Sequence, residues 1–532
     1  MQQFRDRAIR SIHVNVHHIT EDLSLHGIAY ADGVGLDTTK TCLEGTRTEI
    51  LTEIVDWIES SSTPEAPRIF WLHGTAGKGK SAIAHTIAAQ YENMGKLGSC
   101  FCFTRTSHTE RLHEKLFTTI ARDLADRDVR VRQGLAEALA NHHSLKGTRD
   151  VIQQWQKLLL GPLSKWTSSS LGNVVVVIDA LDESGGEHTR KHILDILASS
   201  QAMALPTNIR ILLASRPLPD IHDTLRHAKH VVSRSLDHIP ASTMEADIRL
   251  YISEKLGSVG DGFHEQEVTR LAQKSDGLFE WARLACEFIS MRKAGTTPIQ
   301  RFRAIMSHTS GRGSVLLDEM YTTILGDTIG GTSEALSQFR SVMRIILGLR
   351  EPLTIDSLNA LCYKASCGED RVGMESILEY MASLLSGITD RSIPVRPVHA
   401  SFHDYLTDPE RSGVFYVDTR GIHDELSVAC LDAMRGLSFN ICGLESSYIP
   451  NADIKDLDEK ARRNIPPYLS YACWFWASHL EEAVSESSLA QKVVHFLFSA
   501  QLLFWIEALA LLKGLGDASG ALASAATWLE VS

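Results

Sequence analysis

A parallel α/β sheet domain of about five strands, followed by helical domains, is the fold class that the sequence predicts. Three observations predict it. Short β-branched runs alternate with helical stretches between residues 42 and 237. One of those runs opens into a glycine-rich loop with a helical pattern behind it. After Pro240 the strand signal fades and helical periodicity takes over.

The elements follow in order. Residues 1–41 carry little pattern and read as a linker or remnant, with no continuous apolar core of a secretory signal. Thr46-Arg47-Thr48-Glu49 reads as a capping box, with Leu51, Ile54, Val55 and Ile58 as one apolar helical stripe behind it. Strands are predicted at Ile69–Leu72, Ser99–Phe103, Val174–Ile178 and Ile211–Ala214, with a weaker fifth at His230–Arg234. Apolar runs without alternation belong to strands covered on both faces, which is the pattern of a parallel sheet. Amphipathic helices are predicted at Asp247–Leu256, Val268–Ala272, Leu278–Met291 and Leu316–Leu325, and a small hairpin near Ser386–Val398. The longest apolar stretch, Phe496–Leu512, is interrupted by Gln501 and Glu507. It falls short of the roughly 20 residues of a membrane span and reads as a buried helix.

Bulk properties bound the function. A chain of 532 residues needs several cores. Its formal charge of −12 speaks against sequence-independent binding to nucleic acid or acidic membranes. Nine cysteines are scattered, mostly in apolar runs, and none forms a C-x-x-C pair. That argues against a zinc site and for a reducing, cytoplasmic setting.

The chemistry concentrates at Gly74-Thr75-Ala76-Gly77-Lys78-Gly79-Lys80-Ser81, a full match to G-x-x-x-x-G-K-[ST]. Glycines there let backbone amides turn toward a phosphate, and the following helix adds the positive end of its dipole. Lys80 is expected to reach the β- and γ-phosphates and Ser81 to ligate Mg²⁺. The run Val174–Ile178 ends in Asp179-Ala180-Leu181-Asp182-Glu183. Ligands bind at the carboxyl ends of parallel strands, so Asp179 is the expected second Mg²⁺ ligand. Asp182 or Glu183 is placed to polarise a water, or else to cap the next helix. Arg216, at the end of the fourth strand, would face the γ-phosphate if that strand is inserted between the loop strand and the acidic strand.

The stretches CLEGTR (Cys42–Arg47), HGTAGKGKS (His73–Ser81), VVVVIDALDES (Val174–Ser184) and LLASRP (Leu212–Pro217) together resemble fungal NACHT-domain proteins. These belong to the STAND branch of P-loop NTPases, relatives of the NOD-like receptors, and the likeness is to the nephrocystin-3-like N-terminal type. Later segments such as GLFEWARLACEFI, LLDEMYTTIL, PVHASFHDYLTD and YACWFWASHL carry the resemblance to about residue 530. It implies a nucleotide-binding domain over 42–237, a helical domain over 238–330, a winged-helix-like domain over 331–420 and a further helical domain over 421–532. It implies ATP/ADP or GTP/GDP with Mg²⁺ as ligands, a homo-oligomer on activation and a protein effector. It also implies that His399, ahead of His403, touches the β-phosphate of a bound diphosphate, and that Thr46 and Arg47 line the base pocket. Two positions depart from the pattern: Thr75 stands where many members have Pro, and Lys78 where a small residue is common. A nucleotide-gated signalling switch with slow hydrolysis is the reading these residues favour. A ring-forming ATPase remodeller and a hydrolysis-dead nucleotide-binding scaffold are the alternatives.

Overall fold

The computed structural model describes residues 25–531, apart from 26–27, 32, 61–62, 105–112, 165–171, 258–262, 292–295, 308–312, 331, 366–376, 447 and 485–486. Cys367 therefore lies outside the described residues. The chain forms two compact units, Met1–Leu316 and Leu317–Ser532.

The first unit is built on a five-stranded sheet of β1 (Ile69–His73), β2 (Leu97–Cys102), β3 (Val174–Asp179), β4 (Ile209–Ser215) and β5 (Val231–Ser235). The order is β2-β3-β4-β1-β5 and every pairing is parallel. The strand β4 therefore sits between the loop strand and the acidic strand, the inserted-strand arrangement. The unbroken apolar runs serve two faces at once, because alternate strand residues point to opposite sides. Val174, Val176, Ile178, Ile211 and Leu213 join a core with Phe117, Trp155 and Ile193. Val175, Val177, Leu212, Ala214, Phe70 and Leu72 join a second core with Ile54, Ile83 and Ile87. Helices on both faces complete a three-layer domain, among them α1 (Thr48–Ile58), α2 (Lys80–Asn93), α3 (Leu116–Arg127) and α4 (Glu187–Ala198). The weak fifth signal belongs to an edge strand that is only half-covered.

Two local expectations change. The strand β2 starts at Leu97, ahead of the expected Ser99, with a register shift between Leu97 and Ser99. Gly98 at that shift touches both neighbours: a Cβ there would lie 2.8 Å from Leu124 Cδ2 and 2.9 Å from Val174 Cγ1. The stretch read as a linker packs onto the domain where it is described. Ile28, Ala31 and Val34 are buried in the first core. The Val34 carbonyl accepts from the Cys102 amide at 2.8 Å, and the Ala31 amide donates to Thr119 Oγ1 at 3.1 Å. Leu25, Ile28, Ala31 and Val34 recur at every third residue, a spacing that is neither the 3.6-residue period of a helix nor the two-residue period of a strand.

The rest of this unit is helical: α5 (Ala241–Leu256), α6 (Glu265–Lys274), α7 (Phe279–Ser290) and Pro298–Ser307. Each buries one apolar stripe, as Met244, Ile248, Ile252 and Leu256 do along α5.

Among the described residues the second unit is helical apart from an antiparallel pair, Leu385–Ser386 with Arg396–Pro397, at the expected hairpin. The apolar stretch Phe496–Leu512 is two helices rather than one. Ser487–Leu497 and Gln501–Leu511 are bent by 73°. Ser499 makes the break, its hydroxyl donating back to the Phe496 carbonyl while accepting from the Gln501 amide. Phe496 and Trp505 are buried edge-to-face with Trp476, whereas Phe498 and Leu503 are exposed. Among the described residues no single helix is long and apolar enough to cross a membrane.

A polar chain pins Ile422–Met434 against Pro467–Glu482. The Arg350 amide donates to the Tyr471 hydroxyl at 2.9 Å. That hydroxyl lies 2.7 Å from His479 Nε2. His479 Nδ1 lies 2.8 Å from His423 Nδ1, and His423 Nε2 lies 3.0 Å from Glu482. One assignment satisfies every link: the tyrosine donates to His479, His479 to His423, and His423 to the carboxylate. Burial holds the His479 imidazole well below its usual range, with Arg350 adding to the effect. A histidine neutral when folded and protonated when unfolded costs stability as pH falls below about 6.5. His423 bonding holds Glu482 at about 2, below its ordinary 4.5, so its own contribution is lost as pH falls between those values and leaves the window above pH 5 to histidine. His479→Gln is expected to flatten the stability slope between pH 6.5 and 5, by up to about 1.4 kcal/mol per pH unit. Hydrogen exchange of the 422–482 amides across that range measures it; an unchanged slope would reject the assignment.

Candidate functional site

The loop Gly74–Gly79 leaves the tip of β1 and enters α2 at Lys80. Gly77 and Gly79 have φ of 80° and 87°, left-handed values that glycine adopts without strain. Lys80 folds over the loop and donates to the Gly74 carbonyl at 2.7 Å and the Thr75 carbonyl at 2.9 Å. Burial draws its ammonium down to about 8. A polyphosphate in this cradle would offset that desolvation with negative charge.

The neighbouring strand tips supply acids. Burial pushes the Asp179 carboxyl above its usual range, opposed by a hydrogen bond from Ser81. A hydroxyl beside a buried carboxyl is a hard-oxygen donor pair that suits Mg²⁺, which would hold Asp179 ionised. Ala180, next along, takes a left-handed φ of 57° and turns the chain into Leu181–Glu183. Asp182 is held by Arg216: the Arg216 amide donates to Oδ1 at 2.9 Å and its Nε to Oδ2 at 3.1 Å. Both predicted residues therefore meet, but on each other. Glu183 is half-buried beside them, its amide bonded to the Ala180 carbonyl.

The two departures from the family pattern have partners. Thr75 donates its amide and hydroxyl to Asp237, at 3.1 and 2.9 Å. Proline could supply neither bond. Lys78 reaches the Asp276 carbonyl at 3.4 Å. Ala76 is half-buried between them.

The expected capping box does not form. The Thr46 hydroxyl donates to the Leu43 carbonyl at 2.7 Å, and α1 begins at Thr48 with Arg47 as its N-cap at φ 60°. A carboxylate 200 residues away satisfies the helix end, because the Arg47 amide donates to Asp247 at 3.1 Å. The buried Arg47 side chain lies 4.6 Å over the Phe279 ring and donates to the Lys78 carbonyl at 2.5 Å and to Met244 Sδ at 2.6 Å. The Glu280 amide, at the start of α7, donates to the Gly77 carbonyl at 3.2 Å. Arg47 and α7 thus hold the outer side of the phosphate loop.

His399 belongs to the second unit. It caps the helix Ala400–Leu406, its Nδ1 accepting from the Ser401 amide and lying 2.6 Å from the Ser401 hydroxyl. That hydroxyl lies 2.7 Å from the Tyr321 hydroxyl. His403 is half-buried within the same short helix.

Sequence reasoning missed Asp237, Arg190 and the Asp247–Met244–Phe279 group. Asp237 follows β5, so the strand-tip rule applied to that weak strand would have found it. Arg190 donates to Asp220 and to the Gly185 carbonyl, fastening the turn after β3. Its place on an ordinary amphipathic helix gives no such signal.

Arg47→Ala removes two buried donors from the loop's outer side. Nucleotide binding is expected to weaken at least tenfold, with stability falling by roughly 2–3 kcal/mol. Arg47→Lys should not restore either, because an ammonium cannot bridge carbonyl, thioether and ring at once. Titration calorimetry and thermal unfolding of the two variants measure this.

Residues 45–216 match the family model described as Nephrocystin 3, N-terminal. Vegetative incompatibility protein HET-E-1 of Podospora anserina is 23% identical over 497 residues, covering 86% of this chain. The chain spans about a third of that relative's length, 34%. Among solved structures, a Pyrococcus horikoshii STAND protein with a tetratricopeptide repeat sensor aligns over 93% of this chain and 66% of its own, at 13% identity and a TM-score of 0.40. Drosophila ORC bound to DNA aligns over 68% of this chain and 77% of its own, at 13% identity and a TM-score of 0.32. Likenesses that loose carry no weight beside the loop itself. The phosphate loop, the inserted-strand sheet, the nephrocystin-type match over residues 45–216 and the HET-E-1 similarity together support the likeness to NACHT-type STAND proteins.

Proposed function

We propose that the chain is a nucleotide-gated signalling switch, which binds a purine nucleoside triphosphate or diphosphate with Mg²⁺ and hydrolyses the triphosphate slowly. The observation that carries this reading is the double hold on the loop's outward carbonyls, Gly77 by the α7 amide and Lys78 by Arg47. Loop amides and Lys80 take the phosphates, and Ser81 with Asp179 takes the ion. Loss of the γ-phosphate would shift the loop, and the same loop is tied to α5 and α7. Arg216, held on Asp182, has a γ-phosphate as a competing partner. Either Asp182 released by that exchange or Glu183 would orient the attacking water. The helical segments 238–330, 331–420 and 421–532 are the reading arms of the switch. His399 is the residue by which the 331–420 segment senses a diphosphate. A homo-oligomer acting on a protein effector, in signalling of the incompatibility or cell-death type, is the output that fits likeness to HET-E-1.

The experiment is a comparison of single-turnover with steady-state hydrolysis on purified full-length protein, with the co-purified nucleotide identified by mass. The switch expects a retained diphosphate and turnover far below an ordinary enzyme rate of ~10 s⁻¹. Turnover near that rate would establish the remodelling motor instead. Lys80→Ala is expected to abolish binding. His399→Ala is expected to leave binding measurable and to shift the protein toward larger assemblies by light scattering. An unchanged assembly state would remove His399 from the coupling.

A further inference from the structure

Directly behind the nucleotide site lies a cluster that the P-loop chemistry does not use. His85 follows Ser81 by one helical turn on α2, and Cys100 and Cys102 lie on β2. Residues two apart on a strand share a face, so both thiols look at the same side of the sheet. Cys100 Sγ and Cys102 Sγ are 4.0 Å apart, and Cys102 Sγ is 3.5 Å from His85 Nε2. All three donor atoms lie within 4.8 Å of one another. His85 and Cys100 are buried, and Cys102 is nearly so.

We infer that His85, Cys100 and Cys102 form a binding site for a soft divalent cation, Zn²⁺ by preference, with the fourth position open. The distances match the chemistry. Zinc binds thiolate sulfur at about 2.3 Å and imidazole nitrogen at about 2.0–2.1 Å in a tetrahedron. The edges of that tetrahedron are about 3.8 Å between sulfurs and about 3.5 Å between sulfur and nitrogen. An ion at the centre would need shifts of only a few tenths of an ångström along the two measured edges. Two thiolates cancel the charge of a divalent ion, so loading adds little net charge beside Asp179. Mg²⁺ prefers oxygen donors and does not compete for this set.

Loading has two costs, and both are local. A Cys102 thiol is held neutral by its bond with Cys100 and by burial, so the cation must displace a proton. The Asp37 amide donates to His85 Nδ1 at 3.1 Å, which places the imidazole proton on Nε2. An imidazole ligated through Nε2 carries its proton on Nδ1, facing that amide. The turn Thr38–Lys40 must therefore give way as the ion enters. Missing a C-x-x-C pair did not exclude zinc here, because the strand supplies C-x-C and the phosphate-loop helix supplies the histidine.

The test uses the full chain, reduced and stripped of metal, in the presence of Mg²⁺. One equivalent of Co²⁺ is expected to give tetrahedral ligand-field bands with a thiolate charge-transfer band. A Cys100→Ser/Cys102→Ser double variant should lose both. Cys102→Ser alone should weaken Zn²⁺, measured against a chromophoric chelator, by at least about 100-fold, the upper end of what losing a mere supporting partner costs. A second readout needs no variant: Zn²⁺ should protect Cys100 and Cys102 from alkylation, mapped by mass spectrometry. Octahedral cobalt spectra in the wild-type chain, unchanged cobalt bands in the double variant, or unprotected Cys100 and Cys102 would each overturn the site.

Discussion

A loop that turns its amides toward a phosphate must turn carbonyls away from it, and those carbonyls need partners. In this chain the partners are not solvent. The Gly77 carbonyl takes the Glu280 amide of α7, and the Lys78 carbonyl takes the Arg47 guanidinium. A hydrogen bond to a charged group contributes more than a neutral one, and leaving a buried group unmade costs more still. The phosphate loop is therefore a shared element, with its phosphate-binding motif on one side and helical segments on the other. The architecture around it follows from keeping both sides occupied.

The sheet order sets which groups surround the inner side. Placing β4 between β3 and β1 lines up the ends of three adjacent strands, so that Asp179, Arg216 and the loop start are neighbours. The β5 strand on the other flank delivers Asp237 to Thr75. Asp182 and Arg216 neutralise one another across two of these ends. Such a pair keeps either charge from being left alone in a half-buried setting, where an unpaired charge is costly. Proline at position 75 would stiffen the loop from within. Threonine with Asp237 fastens it from outside, through a strand that belongs to the same sheet.

How much of this the amino acids reveal depends on the range of the interaction. Strands buried on both faces leave long apolar runs, and a phosphate loop leaves a motif, because both are local in sequence. Lys80, Ser81, Asp179 and Arg216 stand out that way as strand-tip and loop residues, whereas the full order of the sheet does not, because it joins strands far apart in sequence. The Thr46 capping box was a local pattern too, and it failed because the helix is capped one residue later, at Arg47, whose amide goes to the distant carboxylate Asp247 while the Thr46 hydroxyl goes to the Leu43 carbonyl. Contacts that join residues 200 apart leave no periodic trace, so Arg47 over Phe279 was illegible. The first buried residues described, Leu25 to Val34, were missed for a related reason: their spacing of three matches neither the helical nor the strand period. The break at Ser499 is the opposite case, a single hydroxyl dividing a composition that looks continuous.

Hard and soft donors are sorted across one pair of strands. Cys102 and Asp179 are register partners on β2 and β3, and Ser81 and His85 are one turn apart on α2. The members nearer the loop, Ser81 and Asp179, offer oxygen; those further along the helix and on the outer strand offer sulfur and nitrogen. A hydroxyl and a carboxylate favour a cation that keeps its waters and bridges phosphates, whereas thiolates favour one that sheds them. Two cations of different character can therefore sit at adjacent positions without exchanging places. Their separation is enforced by ligand type rather than by distance. Because His85 also receives the Asp37 amide, the softer position is joined to the segment that precedes Arg47.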